Sequence, residues 1–157
     1  QEVYSTAFVL KDVLNDLRNY DVRILGTDIS DKVVAQASHG YFSQLELGRG
    51  LNPDKISRYF VAEGDRWKVR DEIRAMANFR TMNLLEPFSF PVPFDIIFCR
   101  NVLIYFSPEI KTRILSQIHG ALNDGGYLFL GASESLSGLN DNFNMIRCNP
   151  GIVYQKK

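Results

Sequence analysis

An acid, an amide and an arginine–asparagine pair each follow an apolar run of strand length in this 157-residue chain. They are Asp28, Asn83 and Arg100-Asn101. In open α/β folds ligands bind at the carboxyl ends of the strands, so these groups are predicted to line one crevice. A carboxylate suits ribose hydroxyls, and an amide can bond an adenine edge. The set therefore predicts a nucleoside ligand.

Each of these positions also has an ordinary structural role open to it. Asp28 stands in an Asp-x-Ser sequence that can cap the following helix, and Asn83 can be a turn residue. Tyr105, which follows Arg100 closely, either contacts a substrate or packs under the next helix. The nucleoside prediction therefore depends on these groups occurring together.

Composition narrows the class of protein. The chain is 45% hydrophobic with 18 basic and 18 acidic side chains, which suits one compact domain and gives no bulk electrostatic case for binding nucleic acid or an anionic membrane. Cys99 and Cys148 form no CxxC pair, which argues against a metal site and a disulfide framework. No apolar run approaches the roughly 18 residues of a membrane span, and no signal peptide is apparent. We expect a cytoplasmic protein that does not insert into membranes.

Strands and helices are predicted to alternate along most of the chain, which indicates an α/β fold with a mostly parallel sheet. The predicted helices are Thr6–Arg18, Ser30–Ser38 and Pro108–Leu122. The first is expected to pack on the sheet through one apolar face, which consists of Phe8, Leu10, Val13, Leu14 and Leu17. The predicted strands are Val22–Asp28, Asn78–Met82, Asp95–Cys99, Tyr127–Gly131 and Ile152–Gln155. Asp124-Gly125-Gly126 is expected to end the long helix, and the last two strands are allowed to pair antiparallel at an edge.

The segment 41–80 departs from this rhythm. A turn and helix start are predicted at Leu51-Asn-Pro-Asp54, with a short helix over Ile56–Phe60. Short strand candidates lie on either side of Gly64-Asp65, so we expect a small β-rich insertion within the domain. Three basic residues alternate along this hairpin and so share one of its faces: Arg66, Lys68 and Arg70. This face is either solvated or a docking surface.

A series of short motifs runs in order through nearly the whole chain. They are Gly26-Thr-Asp-Ile-Ser30, Tyr59-Phe60, Val69-Arg70, Asn83-Leu84-Leu85, Pro93-Phe-Asp95, Phe98-Cys-Arg-Asn-Val-Leu-Ile-Tyr-Phe106, Asp124-Gly-Gly126 and Ser133-Glu134-Ser135. Together they closely resemble the chemotaxis-receptor glutamate methyltransferases, the CheR family. The resemblance implies a Rossmann-like S-adenosylmethionine-dependent methyltransferase sheet, mostly parallel with an antiparallel last strand.

The resemblance also implies an activity. It predicts an O-methyltransferase that forms glutamate methyl esters on the cytoplasmic helical bundle of chemoreceptors and converts S-adenosyl-L-methionine to S-adenosyl-L-homocysteine. A sulfonium methyl is electrophilic and a glutamate carboxylate is ionised at neutral pH, so no general base is needed and positioning should dominate. Arg100 is expected to orient the acceptor carboxylate, with Tyr105 near the transferred methyl as a hydrogen-bond donor or a wall.

The resemblance implies a set of cofactor-binding positions. They are Glu2, Asp28, Asn83, Leu84, Arg100 and Asn101. Asp28 would bind the ribose, Asn83 and Leu84 would flank the adenine, and Arg100 and Asn101 would line the cofactor and acceptor pocket. Glu2 matches the last acid of a cofactor motif of the family.

The chain departs from the family pattern in two places. The family's first strand and Gly-bearing loop, preceded by a small helical domain, are expected just before Gln1, so 1–157 is predicted to be a catalytic domain without them. The hairpin Phe60–Val69 is shorter than in members that dock a tethering peptide from the receptor tail, which predicts no dependence on such a peptide.

Two rival functions stay open from the sequence. One is a catalytically inactive, cofactor-binding signalling module of the same fold. The other is a nicotinamide-dependent oxidoreductase, against which no G-x-G-x-x-G opens any strand.

Overall fold

The computed structural model describes residues 1–14 and 16–157, without the side chain of residue 18, and the chain divides into two compact units. Unit 1 spans Gln1–Asn83 and unit 2 spans Leu84–Lys157. No helix among the described residues is long and apolar enough to cross a membrane.

Unit 1 contains five helices, five strands and a short 3₁₀ turn among its described residues. In chain order they are α1 (Glu2–Val13), the 3₁₀ turn (Leu17–Asn19), β1 (Ile24–Asp28), α2 (Asp31–His39), β2 (Tyr41–Ser43), α3 (Gln44–Leu47), α4 (Pro53–Tyr59), β3 (Phe60–Glu63), β4 (Arg66–Val69), α5 (Asp71–Arg74) and β5 (Ala77–Thr81). Strands β1 and β5 pair in parallel, and β2, β4 and β3 form an antiparallel sheet in that order.

Local capping signals explain where the helices of unit 1 begin. The Ser30 hydroxyl accepts a hydrogen bond from the Val33 amide at the start of α2, and Gly40 ends this helix in the left-handed conformation with φ of 70°. The Asn52 side chain caps α4 in the same way, with Pro53 in the first helical position. These boundaries agree with the sequence prediction to within a few residues.

Helix α1 was predicted over Thr6–Arg18, and this extent is wrong. The helix runs over Glu2–Val13, and its buried residues are Tyr4, Ala7 and Phe8. Val13, predicted on the buried face, is 70% exposed, because α1 packs through its first half on an aromatic core that includes Tyr59. Position 15 of the predicted helix lies outside the described residues.

Unit 2 is built on one mixed sheet. Its elements are β6 (Phe94–Cys99), a 3₁₀ turn (Leu103–Tyr105), α6 (Pro108–Ala121), β7 (Leu122–Leu130), β8 (Phe143–Arg147) and β9 (Ile152–Lys156). The strand order is β6-β7-β9-β8, with β6 parallel to β7 and the remaining pairs antiparallel. The predicted antiparallel last strand is therefore confirmed, but β8 was not predicted and it, rather than β9, is the edge strand.

The end of α6 also differs from the prediction. Asp124-Gly125-Gly126 was expected to stop the helix, but α6 ends at Ala121 and β7 already begins at Leu122. The strand pairing is irregular between Phe94 and Ile96 of β6, opposite this glycine pair. A Cβ on Gly126 would lie 2.8 Å from the Asn123 carbonyl oxygen, so the glycine serves an irregular strand instead of a helix cap.

Hydrophobic packing holds α6 against the sheet. Ile114, Leu115 and Ile118 of the helix are buried in one cluster with Leu128 of β7 and Tyr154 of β9. Cys99, the last residue of β6, belongs to the same cluster, so the loop that carries Arg100 and Asn101 starts from the packed core.

Candidate functional site

Two predicted site residues, Asp28 and Asn83, lie at the same edge of the parallel strand pair of unit 1. In the parallel pair β1 and β5, Asp28 stands opposite Thr81. The Met82 amide donates a hydrogen bond to the Asp28 carbonyl oxygen at 2.9 Å, which continues the pairing one residue past β5. Asn83 follows directly, so Asp28 and Asn83 leave the same edge of the sheet, as strand polarity predicts.

The structure distinguishes the two roles considered for Asp28. Ser30, and not Asp28, caps α2. The Asp28 carboxylate accepts a hydrogen bond from the Ser30 amide at 2.9 Å through Oδ1, which orients an exposed side chain. A carboxylate held in this way is suited to accept hydrogen bonds from vicinal hydroxyl groups. Thr81, opposite in the sheet, donates its hydroxyl to Asp31 and so ties β5 to the start of α2.

Glu2 lies in the first turn of α1. The next residue, Val3, packs over Gly26 in the middle of β1, two residues before Asp28. A Cβ on Gly26 would lie 2.8 Å from the Val3 methyl and 2.7 Å from the Phe79 ring. The absence of a side chain at Gly26 therefore lets the start of α1 approach the strand that carries Asp28.

The loop after β6 carries the remaining predicted residues. Arg100 and Asn101 follow Cys99 directly, and both are exposed. Asn101 has φ of 58°, in the left-handed region where asparagine is among the few tolerated side chains. Leu103 anchors the following 3₁₀ turn at 2% exposure, whereas Tyr105 is 79% exposed and is not packed under α6.

Leu84 has a structural position in unit 2. Its partly buried side chain packs against the hydrophobic cluster beneath the sheet. Its carbonyl oxygen accepts a hydrogen bond from the Gln117 side chain of α6 at 3.4 Å. This contact fixes the backbone immediately after Asn83.

Sequence reasoning gave no role to Glu134. Its carboxylate accepts backbone hydrogen bonds from Asn101 and Gly131, both at 2.7 Å, and from Ile104 at 3.2 Å. The carboxylate thus joins the loop after β6 to the loop after β7. An acid three residues beyond a glycine at a strand end was the available signal.

Electrostatics at the entrance to α6 are also defined. Hydrogen bonds from the Ser107 side chain and from the backbone amide of Glu109 itself hold the pKa of the Glu109 carboxyl below its usual value. This acid therefore keeps its charge at the start of the helix. It lies four residues after Tyr105 on the exposed surface.

Comparison with known proteins shows the family. The sequence model of the family described as CheR methyltransferase, SAM-binding domain, matches residues 1–152. The chain belongs to this family. S-adenosyl-L-methionine is its cofactor, and the resemblance seen in the motifs is confirmed.

Curated relatives agree with this assignment. Chemotaxis protein methyltransferase 1 of Vibrio cholerae serotype O1 is 49% identical over 160 residues, covering all of this chain and 58% of that protein. Chemotaxis protein methyltransferase 1 of Pseudomonas aeruginosa is 46% identical over 162 residues, covering all of this chain and 59% of that protein. The chain therefore spans a little under three-fifths of the length of these relatives.

The residues at the edge of unit 1 fit this cofactor. The oriented, exposed Asp28 carboxylate suits the ribose hydroxyls, and Asn83 offers an amide at the same edge. That Asp28, Asn83, Arg100 and Asn101 all line one crevice with Glu2 stays a prediction.

Proposed function

We propose that the protein is an S-adenosylmethionine-dependent O-methyltransferase that forms methyl esters on glutamate side chains of chemoreceptor cytoplasmic helices. The observation that carries the proposal is the loop after β6, which presents an exposed arginine and an exposed tyrosine within six residues. It belongs to a chain whose family binds the methyl donor. A cytoplasmic location is part of the same proposal.

The acceptor chemistry explains why an arginine suits this loop. A glutamate carboxylate is already ionised near neutral pH, so it needs orientation and not deprotonation. The planar guanidinium of Arg100 can hold a carboxylate through two parallel hydrogen bonds. The exposed Tyr105 hydroxyl can donate a further hydrogen bond or form one wall of the site. The bound cofactor supplies an electrophilic methyl group.

In this proposal a second set of residues binds the cofactor. Asp28 would accept hydrogen bonds from the ribose hydroxyls, while Asn83 and Leu84 would contact the adenine. Glu2 and Asn101 would complete the contacts. Replacing Asp28 removes a group outside the hydrophobic core, so its effect should appear in cofactor affinity and not in folding.

The proposal is tested by methyl transfer in the full-length protein. Methanol released by base from methylated receptor measures ester formation. Loss of the charged hydrogen bonds of Arg100 is worth about 1.5–3 kcal/mol, so Arg100→Ala should lower kcat/KM roughly 10- to 150-fold with an almost unchanged melting temperature. Arg147→Ala, which removes an exposed arginine from β8, is the matched control.

The outcomes separate the candidate functions. Wild-type activity in Arg100→Ala would remove this residue from the mechanism. Saturable binding of S-adenosylhomocysteine without any methanol from the wild-type protein would instead favour an inactive cofactor-binding module.

We also propose that the protein acts without a receptor-tail tether. Support comes from the hairpin β3–β4, which closes through the two residues Gly64-Asp65, with Gly64 at φ of 63°. A turn of this length leaves no extended loop to hold a peptide. Calorimetric titration with a pentapeptide from the receptor tail should show no saturable heat, and saturable binding would contradict the proposal.

A further inference from the structure

The Glu134 carboxylate connects two loops at the carboxyl ends of neighbouring parallel strands. Strands β6 and β7 pair in parallel with Cys99 opposite Leu130, so the loops that follow them start side by side. Glu134 Oε2 accepts hydrogen bonds from the Asn101 and Gly131 amides, and Oε1 accepts one from Ile104. One side chain therefore satisfies three backbone donors that belong to no strand or α-helix.

The space around this carboxylate admits only glycine at position 131. A Cβ on Gly131 would lie 2.6 Å from Glu134 Oε2, 2.9 Å from the Asn101 nitrogen and 3.1 Å from the Asn101 Cγ. All three distances are shorter than a normal contact of about 3.5–4.0 Å between non-bonded carbon atoms. Gly131 is itself buried, and its carbonyl oxygen accepts a hydrogen bond from the Glu134 amide at 3.0 Å. The backbones of the two loops therefore approach each other closely around the Glu134 carboxylate.

The backbone of the loop after β6 needs such support. Asn101 has positive φ, a conformation that costs most side chains roughly 1–2 kcal/mol. The hydrogen bond from its amide to an ionised acceptor is of the stronger, charge-assisted kind. This bond and the one from Ile104 fix both ends of the segment between them, and Arg100 and Tyr105 flank that segment.

We propose that Glu134 is a positioning residue, which holds the backbone of the loop after β6 so that Arg100 and Tyr105 are presented to the acceptor carboxylate. This inference rests on the proposed methyl-transfer function and adds to it a residue that touches neither substrate nor cofactor. A carboxylate is required because all three partners are donors. In Glu134→Gln one acceptor oxygen remains, and the amide NH₂ group would face an N–H donor.

The kinetic test compares Glu134→Gln and Glu134→Ala with wild type in the full-length protein. A displacement of about 1 Å at reacting groups can cost roughly 100-fold in rate, so Glu134→Ala should lower kcat by about that factor. Glu134→Gln should fall between Glu134→Ala and wild type. The dissociation constant of S-adenosylhomocysteine should change less than threefold. Glu109→Gln, an exposed acid in the first turn of α6, is the matched control and should keep wild-type kcat.

A second variant perturbs the same contact while leaving Glu134 in place. Gly131→Ala should displace the carboxylate through the short contacts of the new Cβ and reproduce the loss of kcat. Gly120→Ala, where a Cβ meets no atom within 4 Å, should not. Wild-type kcat in both Glu134→Ala and Gly131→Ala would overturn the inference.

Amide hydrogen exchange separates positioning from general destabilisation. In Glu134→Ala, exchange at Asn101 and Ile104 should accelerate at least tenfold, while exchange at Leu128 in the core of β7 stays as in wild type. Equal acceleration at all three positions, or none, would contradict a local role. If the wild-type protein transfers no methyl group, the proposed function fails, and this exchange measurement alone decides whether Glu134 holds the loop.

Discussion

Gly26 is the position at which a single added methyl group should be most informative. It lies in β1, two residues before Asp28, where it pairs with Phe79 of β5 and approaches Val3 of α1. The Cβ of an alanine would lie 2.7 and 2.8 Å from two carbons of the Phe79 ring and 2.8 Å from the Val3 methyl. Each distance is about 1 Å short of a normal carbon–carbon contact. Both obstacles therefore crowd the one direction in which the new methyl group would project.

The neighbours themselves have little freedom to yield. The Phe79 ring contacts the buried Tyr4 ring with centroids 5.6 Å apart, and Phe79 packs against the core of unit 1. Overpacking of this kind costs about 1–3 kcal/mol. Gly→Ala returns about 0.4–1 kcal/mol by restricting the unfolded chain, so the net loss should be on the order of 1–2 kcal/mol.

The assay is thermal unfolding of the full-length protein, followed by circular dichroism. A shift of about 2–4 °C per kcal/mol is usual for a domain of 150–250 residues, so Gly26→Ala should melt roughly 2–8 °C below wild type. Gly50→Ala, in the same unit, is the control, because a Cβ there meets no atom within 4 Å. It should melt at or slightly above the wild-type temperature.

A double-mutant cycle tests the cause. Phe79→Leu shortens the contacting side chain, so the loss caused by Gly26→Ala should be smaller in the Phe79→Leu background. A Gly26→Ala protein that melts at or above the wild-type temperature would refute the packing argument. Strict additivity of the two substitutions would show that the Phe79 ring is not the obstacle.

Two further predictions concern unit 2. Leu128 is fully buried beneath α6, so Leu128→Ala should lower the free energy of unfolding by about 2–5 kcal/mol, measured as a lower urea midpoint. Burial, with a smaller contribution from Lys156, lowers the pKa of His119 below its usual value of 6.5. Folding therefore favours the neutral imidazole of His119. Its contribution to the free energy of unfolding is fully present above about pH 6.5 and is lost as the pH falls towards the lower pKa of His119 in the folded protein. Melting temperatures at pH 7.5 and 5.5 should differ less in His119→Gln than in wild type, and an equal or larger difference would contradict this assignment.

Several features could be read from local sequence because their causes are local. Ser30 and Gly40 bound α2, and Asn52-Pro53 starts α4, since capping depends on residues within one turn. The common edge of Asp28 and Asn83 follows from strand polarity alone. Motif resemblance supplied the family, which the match over residues 1–152 confirms.

Other features depend on which elements pack together. The buried face of α1 is set by the aromatic core it contacts, so apolar periodicity alone placed Val13 wrongly. Strand β8 carries no strong pattern of its own and is defined by pairing with β9. The role of Glu134 appears only when Asn101, Ile104 and Gly131 are brought around it.

The sequence by itself therefore determined the α/β class, the family with its cofactor, and the strand ends that carry Asp28, Asn83 and Arg100. Tertiary structure alone decided which helix face is buried, where β7 begins, and how a distant carboxylate supports the loop after β6. The physical reason is the distance along the chain over which each interaction acts. Caps and strand polarity act within a few residues, whereas burial and the pairing of loop amides depend on groups that only the folded chain brings together.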